Sequence, residues 1–485
     1  MTKYLINLDG YLRESLSTSL SMFDDKINFS FFCATKKDRN HLLKDFPKSK
    51  IYCWQEFLEN NINKELEVSA LEKIEKELDL ALMEITISTV NYAQFYKTTT
   101  LSQENKNNID LKRAYLNYLF YSEILKNENP DIILHEHAGG TGSEILERLS
   151  KKKNIKYYIF CTRFFENRFL LMDVENNDFK PLDEFYKNCT PSIKQLNAVK
   201  NIFKKIENNI SPSEAIHIKN IKKIRSKKIK NFLNKLSDFN SRSLEENYIL
   251  SKFPPIKDHI LEKIKSKFRE FYIETFHSQT ISQIIANNPK KKIITYFLQS
   301  EPELIIYKLG GKFFCDQKTI IKNLALNLPH DFILLVKEHR SQSINSRFRN
   351  LQFFKDILAH TNVRLVKSQE DPMNLIDHSF CVANLSGTIG LEALVRNKPV
   401  ILFGNVFYQN FSNIFKLEKL EDLKNIIPNI QSKMNSHDER DILKYMYALR
   451  KTMFKGNVFD GSKFTKNNDF FLKESLKKVF SIYKK

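Results

Sequence analysis

The chain repeats one rhythm twice: a short apolar run, a stretch with helical spacing, then another apolar run. Near the start, Lys3–Leu8, Asn28–Cys33 and Lys50–Trp54 read as strands, with helices at Tyr11–Phe23 and Asp38–Phe46 between them. Residues 55–128 are mainly helical by pattern; strands follow at Asp131–His135 and Lys156–Cys161, with a helix from Ser143 to Lys151 between them. Residues 190–285 carry no convincing strand. The rhythm then restarts, with strands at Lys292–Leu298, Phe332–Glu338, Val363–Val366, Phe380–Asn384 and Pro399–Phe403. Helices are expected between them at Gln317–Leu328, Arg347–His360, Asp371–His378 and Thr388–Arg396. Short apolar strands alternating with helices predict parallel sheets covered by helices. The expected architecture is α/β: two doubly wound domains facing a cleft, with a helical insertion. The expected boundaries are 1–190 for the first domain, 191–285 for a basic helical insertion and 286–465 for the second domain. A last helix within 466–485 is expected to pack back on the first domain.

Composition narrows the class. Glycine and proline number only 11 and 13 in 485 residues, and 42% of the residues are hydrophobic, which excludes a disordered or fibrous chain. The run after Met1 is too short for a signal-peptide core, and Asp9 follows at once. No stretch approaches the ~18 uninterrupted apolar residues of a membrane span, so a cytoplasmic protein is expected. The six cysteines are scattered without a CxxC pair, so neither a zinc knuckle nor a redox motif is indicated. The net charge is +20, which favours anionic partners. Between Lys194 and Lys235 there are twelve Lys or Arg against two acids. The densest part, Lys219–Lys230, has isoleucines at roughly helical spacing. It reads either as a solvated lysine-rich helix face or as a contact with an anionic inner-membrane surface, making the protein peripheral there. It lacks helix-turn-helix or zinc-finger patterning, so no nucleic-acid partner is expected.

Because glycine is rare, its clusters mark junctions. One is Ser386-Gly387-Thr388-Ile389-Gly390-Leu391-Glu392, where a strand hands over to a helix. Gly387 would allow a tight turn, and the free N–H groups at the start of the helix could hold a phosphate. The Ser386 and Thr388 hydroxyls could add hydrogen bonds. Glu392, one turn on, could accept from ribose hydroxyls. The same residues could equally make a plain capped helix. Lys337-Glu338-His339-Arg340 closes an earlier strand of the same sheet with groups suited to a pyrophosphate or nucleotide phosphate. Gln299 and Glu301, after the strand ending at Leu298, could read a base or a sugar.

These segments in this order, together with Asp316-Gln317, Lys398-Pro399-Val400, Gly404 and Tyr408, resemble the capsule polysaccharide synthesis family, which includes bacterial Kdo transferases. The match covers about 290–410. The resemblance implies a glycosyltransferase of the GT-B type with two Rossmann-like domains and the nucleotide-sugar donor in the second. It also implies that His339, Ser386 and Thr388 hold the donor phosphate and that Glu392 holds the ribose. CMP-activated keto-sugars are the favoured donors. The chain departs from the family's frequent His-Pro at His339-Arg340, where Arg340 adds a charge and removes a rigid turn.

The first-domain junction is His135-Glu136-His137-Ala138-Gly139-Gly140-Thr141-Gly142. An inverting transfer needs a base for the acceptor hydroxyl, and Glu136 or His137 at a strand end could serve. Arg163 and Arg168, after the next strand, could bind an anionic acceptor or simply lie at the surface. His135 and His137 would share a strand face, but no third ligand accompanies them, so no metal is expected. No cofactor is expected beyond the donor substrate, and the acceptor would be a glycan or glycolipid. Other functions compatible with the fold are a nucleotide-sugar epimerase, a polyol-phosphate transferase, or a non-enzymatic polysaccharide- or membrane-binding protein.

Overall fold

The computed structural model describes residues 2–23, 27–85, 103–136, 139–161, 167–175, 179–207, 256–301, 306, 308–310, 314–339, 342, 349–433, 439–458 and 466–482. His137, Arg163, Arg340 and Lys219–Lys230 lie outside them. In chain order the elements begin β1 (Lys3–Asn7), α1 (Gly10–Ser21), β2 (Asn28–Cys33), α2 (Lys36–Asp45), β3 (Lys50–Cys53), α3 (Trp54–Asn61) and α4 (Val68–Leu78). They continue through α5 (Gln103–Glu128), β4 (Ile132–His135), α6 (Thr141–Lys152), β5 (Lys156–Cys161), β6 (Arg168–Asp173), α7 (Lys180–Asn188) and α8 (Ile193–Glu207). Next come α9 (Ile256–Phe276), β7 (Ser278–Gln279), α10 (Ile281–Asn287), β8 (Lys292–Phe297), α11 (Gln317–Asn327), β9 (Phe332–Lys337), α12 (Leu351–Leu358) and β10 (Val363–Val366). The last are α13 (Pro372–His378), β11 (Cys381–Asn384), α14 (Ile389–Val395), β12 (Val400–Leu402), β13 (Ile414–Lys416), α15 (Ile426–Lys433), α16 (Glu439–Thr452), β14 (Phe454–Lys455) and α17 (Lys466–Ile482).

The chain divides into two compact units. The first comprises Met1–Phe185, Asn197–Phe253 and Ala448–Lys485, and the second Tyr186–Leu196 and Pro254–Tyr447. Among the described residues each unit holds one seven-stranded sheet.

In the first unit the order is β14-β6-β5-β4-β1-β2-β3. Strands β5, β4, β1, β2 and β3 are mutually parallel, while β6 and β14 are antiparallel additions at one edge. The sequence reading did not anticipate β6 or β14. Phe169–Met172 is apolar throughout and lies on the antiparallel side, outside the strand–helix alternation. A core of Tyr4, Ile6, Leu12, Leu16, Phe31, Leu134 and Phe160 lies beside the sheet. Helix α17 closes this core: Tyr4 donates from its hydroxyl to the Phe480 carbonyl at 3.3 Å, and the two rings lie 4.6 Å apart. The chain end therefore belongs to the first unit's packing.

In the second unit the order is β13-β12-β11-β8-β9-β10-β7, and every pairing is parallel. Parallel strands must be covered on both faces, and β9 (Phe332–Lys337) is accordingly buried at all six positions. The two-residue β7 falls in a region read as lacking strands, and is too short to carry a period. Helix α12 starts at Leu351 rather than the expected Arg347, because Asn350 caps it, its side chain accepting from the Phe353 N–H at 2.9 Å. That four-residue difference puts Arg349 in a loop. Both units are Rossmann-like.

Candidate functional site

From β8 the chain winds outward through β9 and β10, then returns past β8 to pair β11 on its other side. Ligands of open α/β sheets bind outside the strand carboxyl ends at such a reversal. Two residues picked from the sequence meet there. The Gln299 side-chain N–H lies 3.0 Å from the Ser386 Oγ, and the Ser386 hydroxyl lies 3.3 Å from the Gln299 Oε1. Both side chains are partly exposed.

Beneath this pair is a buried polar lattice. Gln317, at the start of α11 and fully buried, accepts from the Gln299 backbone N–H at 2.8 Å. Its amide donates to the Gln299 carbonyl at 3.2 Å and to the Glu301 carboxylate at 2.7 Å. Gln342 exchanges two hydrogen bonds with the Glu301 backbone, at 2.8 and 2.9 Å. Arg349, 3% exposed, donates from Nε to the Glu301 Oε2 at 3.1 Å. It also donates to the Glu338 Oε1 and to the Gln299 carbonyl. Burial pushes the Glu301 carboxyl up from its usual range, with Arg349 and Gln317 pulling the other way. The two carboxylates keep Arg349 charged against the cost of its burial. Sequence reading named Gln299 and Glu301 but missed Gln342 and Arg349, which it had no means of bringing next to β8.

The other expected donor residues sort differently. Lys337 is 2% exposed and donates to the carbonyls of Lys367 and Ser368 at 3.1 and 2.6 Å. Its amine thus ties β9 to the end of β10. His339 follows β9, and its backbone N–H donates to the Glu338 Oε1 at 2.7 Å. Thr388 stands at the start of α14 already in helical conformation, with no side-chain cap bond. Glu392 is buried within α14.

Gly387 does not take the positive φ that a glycine-dependent turn requires, contrary to the expectation of a glycine turn there. A Cβ at Gly387 would meet only ordinary contacts, with the Asn384 Nδ2 at 3.6 Å and the Gln299 Nε2 at 4.0 Å. The demanding glycine is Gly390, where a Cβ would fall 2.3 Å from the Tyr408 hydroxyl oxygen. That hydroxyl donates to the Gly387 carbonyl and accepts from the Asn384 amide at 3.0 Å, so it clamps the Ser386–Thr388 turn. Burial raises the Tyr408 phenol well above its ordinary range, keeping it a neutral donor. Gly390→Ala is expected to cost roughly 1–3 kcal/mol through overpacking. The check is a lower urea midpoint with an unchanged slope.

The first unit has the same reversal, between β1 and β4. Asp9 follows β1, and Glu136 follows β4. Asp9 accepts from the Asn7 amide at 2.7 Å and from the Ala34 N–H at 2.6 Å. Burial nonetheless pushes its carboxyl up to about 6, and the nearby charges of Asp38 and Glu136 add to the rise. In the sequence Asp9 is marked only as an acid after an apolar run. Gly140 holds φ +83° at the entry to α6, where a side chain would be strained. His135 is buried, with its Nδ1 2.5 Å from the Tyr157 hydroxyl. Arg168 donates to the carbonyls of Arg450 and Met453 at 3.3 and 3.2 Å, fastening the edge where β14 joins. Among the described residues no three His, Cys, Asp or Glu side chains converge as a metal site, and no helix is long and apolar enough to cross a membrane.

Residues 201–446 match the family model described as capsule polysaccharide biosynthesis protein. The chain belongs to that family. No protein with a curated description matches this capsule biosynthesis family member in sequence. Among solved structures it is similar to a Thermosulfurimonas dismutans KpsC β-Kdo 2,7 transferase, with 12% identity over 78% of this chain and 97% of the other, at a TM-score of 0.38. It is also similar to a UDP-GlcNAc 2-epimerase from Neisseria meningitidis, with 13% identity over 98% of this chain and 100% of the other, at a TM-score of 0.22. Likenesses at this level add nothing to the strand order already described.

Proposed function

We propose that this capsule family member is a glycosyltransferase that takes a sugar from a nucleotide-activated donor bound at the second unit and passes it to a glycan or glycolipid acceptor. The observation that supports it most is the Gln299–Ser386 hydrogen bond across the β8/β11 reversal, held from below by Gln317, Glu301 and Arg349. Such a pre-set polar pair at a switch point suits a nucleotide. His339 and the Ser386 and Thr388 hydroxyls would hold the donor phosphate, and Glu392 would take the ribose. A CMP-activated keto-sugar is the favoured donor.

In the first unit, Asp9 and Glu136 supply the base. One carboxylate takes the proton from the acceptor hydroxyl as its oxygen attacks the anomeric carbon. The bond from that carbon to the phosphate oxygen breaks, and its electron pair leaves with the phosphate. Direct attack on the face opposite the leaving phosphate inverts the anomeric carbon, and hydrogen-bond donors at the phosphate would stabilise the developing charge in place of a metal.

A thermal-shift screen with CMP, CDP, UDP, GDP and ADP tests the donor site. A ligand at 100 times its Kd stabilises the folded state by about 2.7 kcal/mol. The expected result is a shift with CMP that His339→Ala and Ser386→Ala each reduce. A shift with UDP alone would favour a UDP-sugar transferase or an epimerase. No shift at millimolar nucleotide would remove the donor site.

A further inference from the structure

Strand β11 is buried at all four positions, and Cys381, Val382 and Ala383 suit that setting. Asn384 does not. It is wholly buried at the strand's carboxyl end, just before Leu385 and the Ser386–Thr388 turn. Its amide donates to the Gly387 carbonyl at 2.8 Å and to the Tyr408 hydroxyl at 3.0 Å, which uses both N–H groups. Its Oδ1 is buried with no hydrogen-bond partner among the described residues. An unmet buried acceptor weakens folding, and a leucine of similar size would avoid it. Asn384 is therefore accounted for by its two N–H groups rather than by packing.

Tyr408, also wholly buried, reaches the same carbonyl from the chain after β12. That chain runs along the end of β11, with the Phe403 N–H donating to the Asn384 carbonyl at 3.1 Å and the Gly404 N–H to the Leu385 carbonyl at 2.8 Å. The Gly390 N–H is a third donor to the Gly387 carbonyl, at 3.3 Å. The turn lacks the usual means of holding its shape. Gly387 takes no positive φ, Thr388 makes no side-chain cap bond, and the Ser386 hydroxyl meets Gln299 instead of capping α14. A peptide unit is planar, so fixing the Gly387 carbonyl fixes the plane that joins Gly387 to Thr388. The partly exposed Ser386 and Thr388 are thereby held from the buried side, and neither hydroxyl is taken up in capping the helix.

We propose that Asn384 and Tyr408 are positioning residues for the donor: buried beyond the ligand's reach, they set the Ser386 and Thr388 hydroxyls that meet its phosphate. The inference rests on the donor site proposed above and adds to it the pair that gives the turn its shape.

The test is calorimetric titration of the full chain with CMP and with UDP, the tighter of the two serving as probe. Tyr408→Phe keeps the ring and removes only the hydroxyl; it should weaken the probe by about tenfold or more, the affinity equivalent of one net hydrogen bond. Asn384→Leu should weaken it as much while melting near the wild-type temperature, because it also removes the unmet acceptor. Thr295→Val removes another buried hydroxyl of the same sheet, bonded to Ser379 at 2.6 Å. It should leave the affinity within about twofold, since it lies outside the turn. On a Ser386→Ala background Tyr408→Phe should cost less than about threefold, because one of the groups it places is already gone. A wild type that binds neither nucleotide removes the donor site and this inference with it. If the wild type binds and either Tyr408→Phe or Asn384→Leu binds as tightly, the positioning role alone is overturned. An equal loss in Thr295→Val, or an undiminished loss on the Ser386→Ala background, overturns it too.

Discussion

Arg349→Met should destabilise the second unit by about 3–5 kcal/mol, the cost of removing one partner from a buried ion pair. The guanidinium is 3% exposed and serves Glu301, Glu338 and the Gln299 carbonyl together. Methionine fills much of the volume but leaves Glu301 buried without its cation. The pH dependence is part of the prediction. Burial already raises the Glu301 carboxyl, and losing Arg349 raises it further. In the variant the folded state therefore binds the proton more readily than the unfolded chain. The stability deficit is largest at high pH and shrinks as pH falls below the raised value, where Glu301 is neutral. Urea melts at pH 5 and pH 8 measure this directly. A deficit equal at both would mean that Glu301 does not carry it. Glu301→Gln/Arg349→Met should recover part of the loss, and the coupling between the two sites follows from the double-mutant cycle. Gln299 should lose its position at the same time, so on the proposed donor-site reading nucleotide stabilisation of Arg349→Met falls even where the protein remains folded. Arg349→Lys keeps the charge but cannot reach three oxygens with a rigid fork, and should restore only part of both.

On the proposed reading of Asp9 as the base, Asp9→Asn should lower the rate of sugar transfer by roughly 10²–10⁴-fold, the usual worth of a general base, with little cost in stability. The sign follows from its pKa. The folded-state value of about 6 lies above the ordinary 3.8, so the folded protein holds this proton more tightly than the unfolded chain. That stabilisation is fully present below about 4 and lost as pH rises through 6. Asparagine mimics the neutral acid at every pH, so Asp9→Asn should gain on the wild type above pH 6. A protein that becomes more stable as it loses activity marks a site selected for reaction rather than for folding. The wild-type pH–rate profile should rise with an apparent pKa near 6. Glu136→Gln removes a charge that raises Asp9, so any rate that remains should rise at lower pH. Parallel stability curves for wild type and Asp9→Asn between pH 4.5 and 8.5 would rule out the raised pKa.

Much of the second unit was legible from its pattern. Strands β8, β9, β10, β11 and β12 appear within one or two residues of their expected bounds, because their apolar runs are continuous and end at polar clusters. Gln299 and Ser386 stood out because each follows such a run. The lattice beneath them did not. Arg349 lies 48 residues from Glu301, and Ser386 lies 87 from Gln299. Nothing in the spacing of a loop arginine says which strand end it will reach. The expected helix start at Arg347 hid it further, since Asn350 decides where α12 begins.

The apolar periods and the charge are local properties, so the sequence alone determined the α/β class, the two doubly wound sheets and the strand-end chemistry. The tertiary structure decided which strand ends meet. It tied Lys337 to backbone carbonyls and made Gly390 rather than Gly387 the demanding glycine. These outcomes depend on pairings between distant segments, and such pairings are settled only when the sheets close and bury the groups between them.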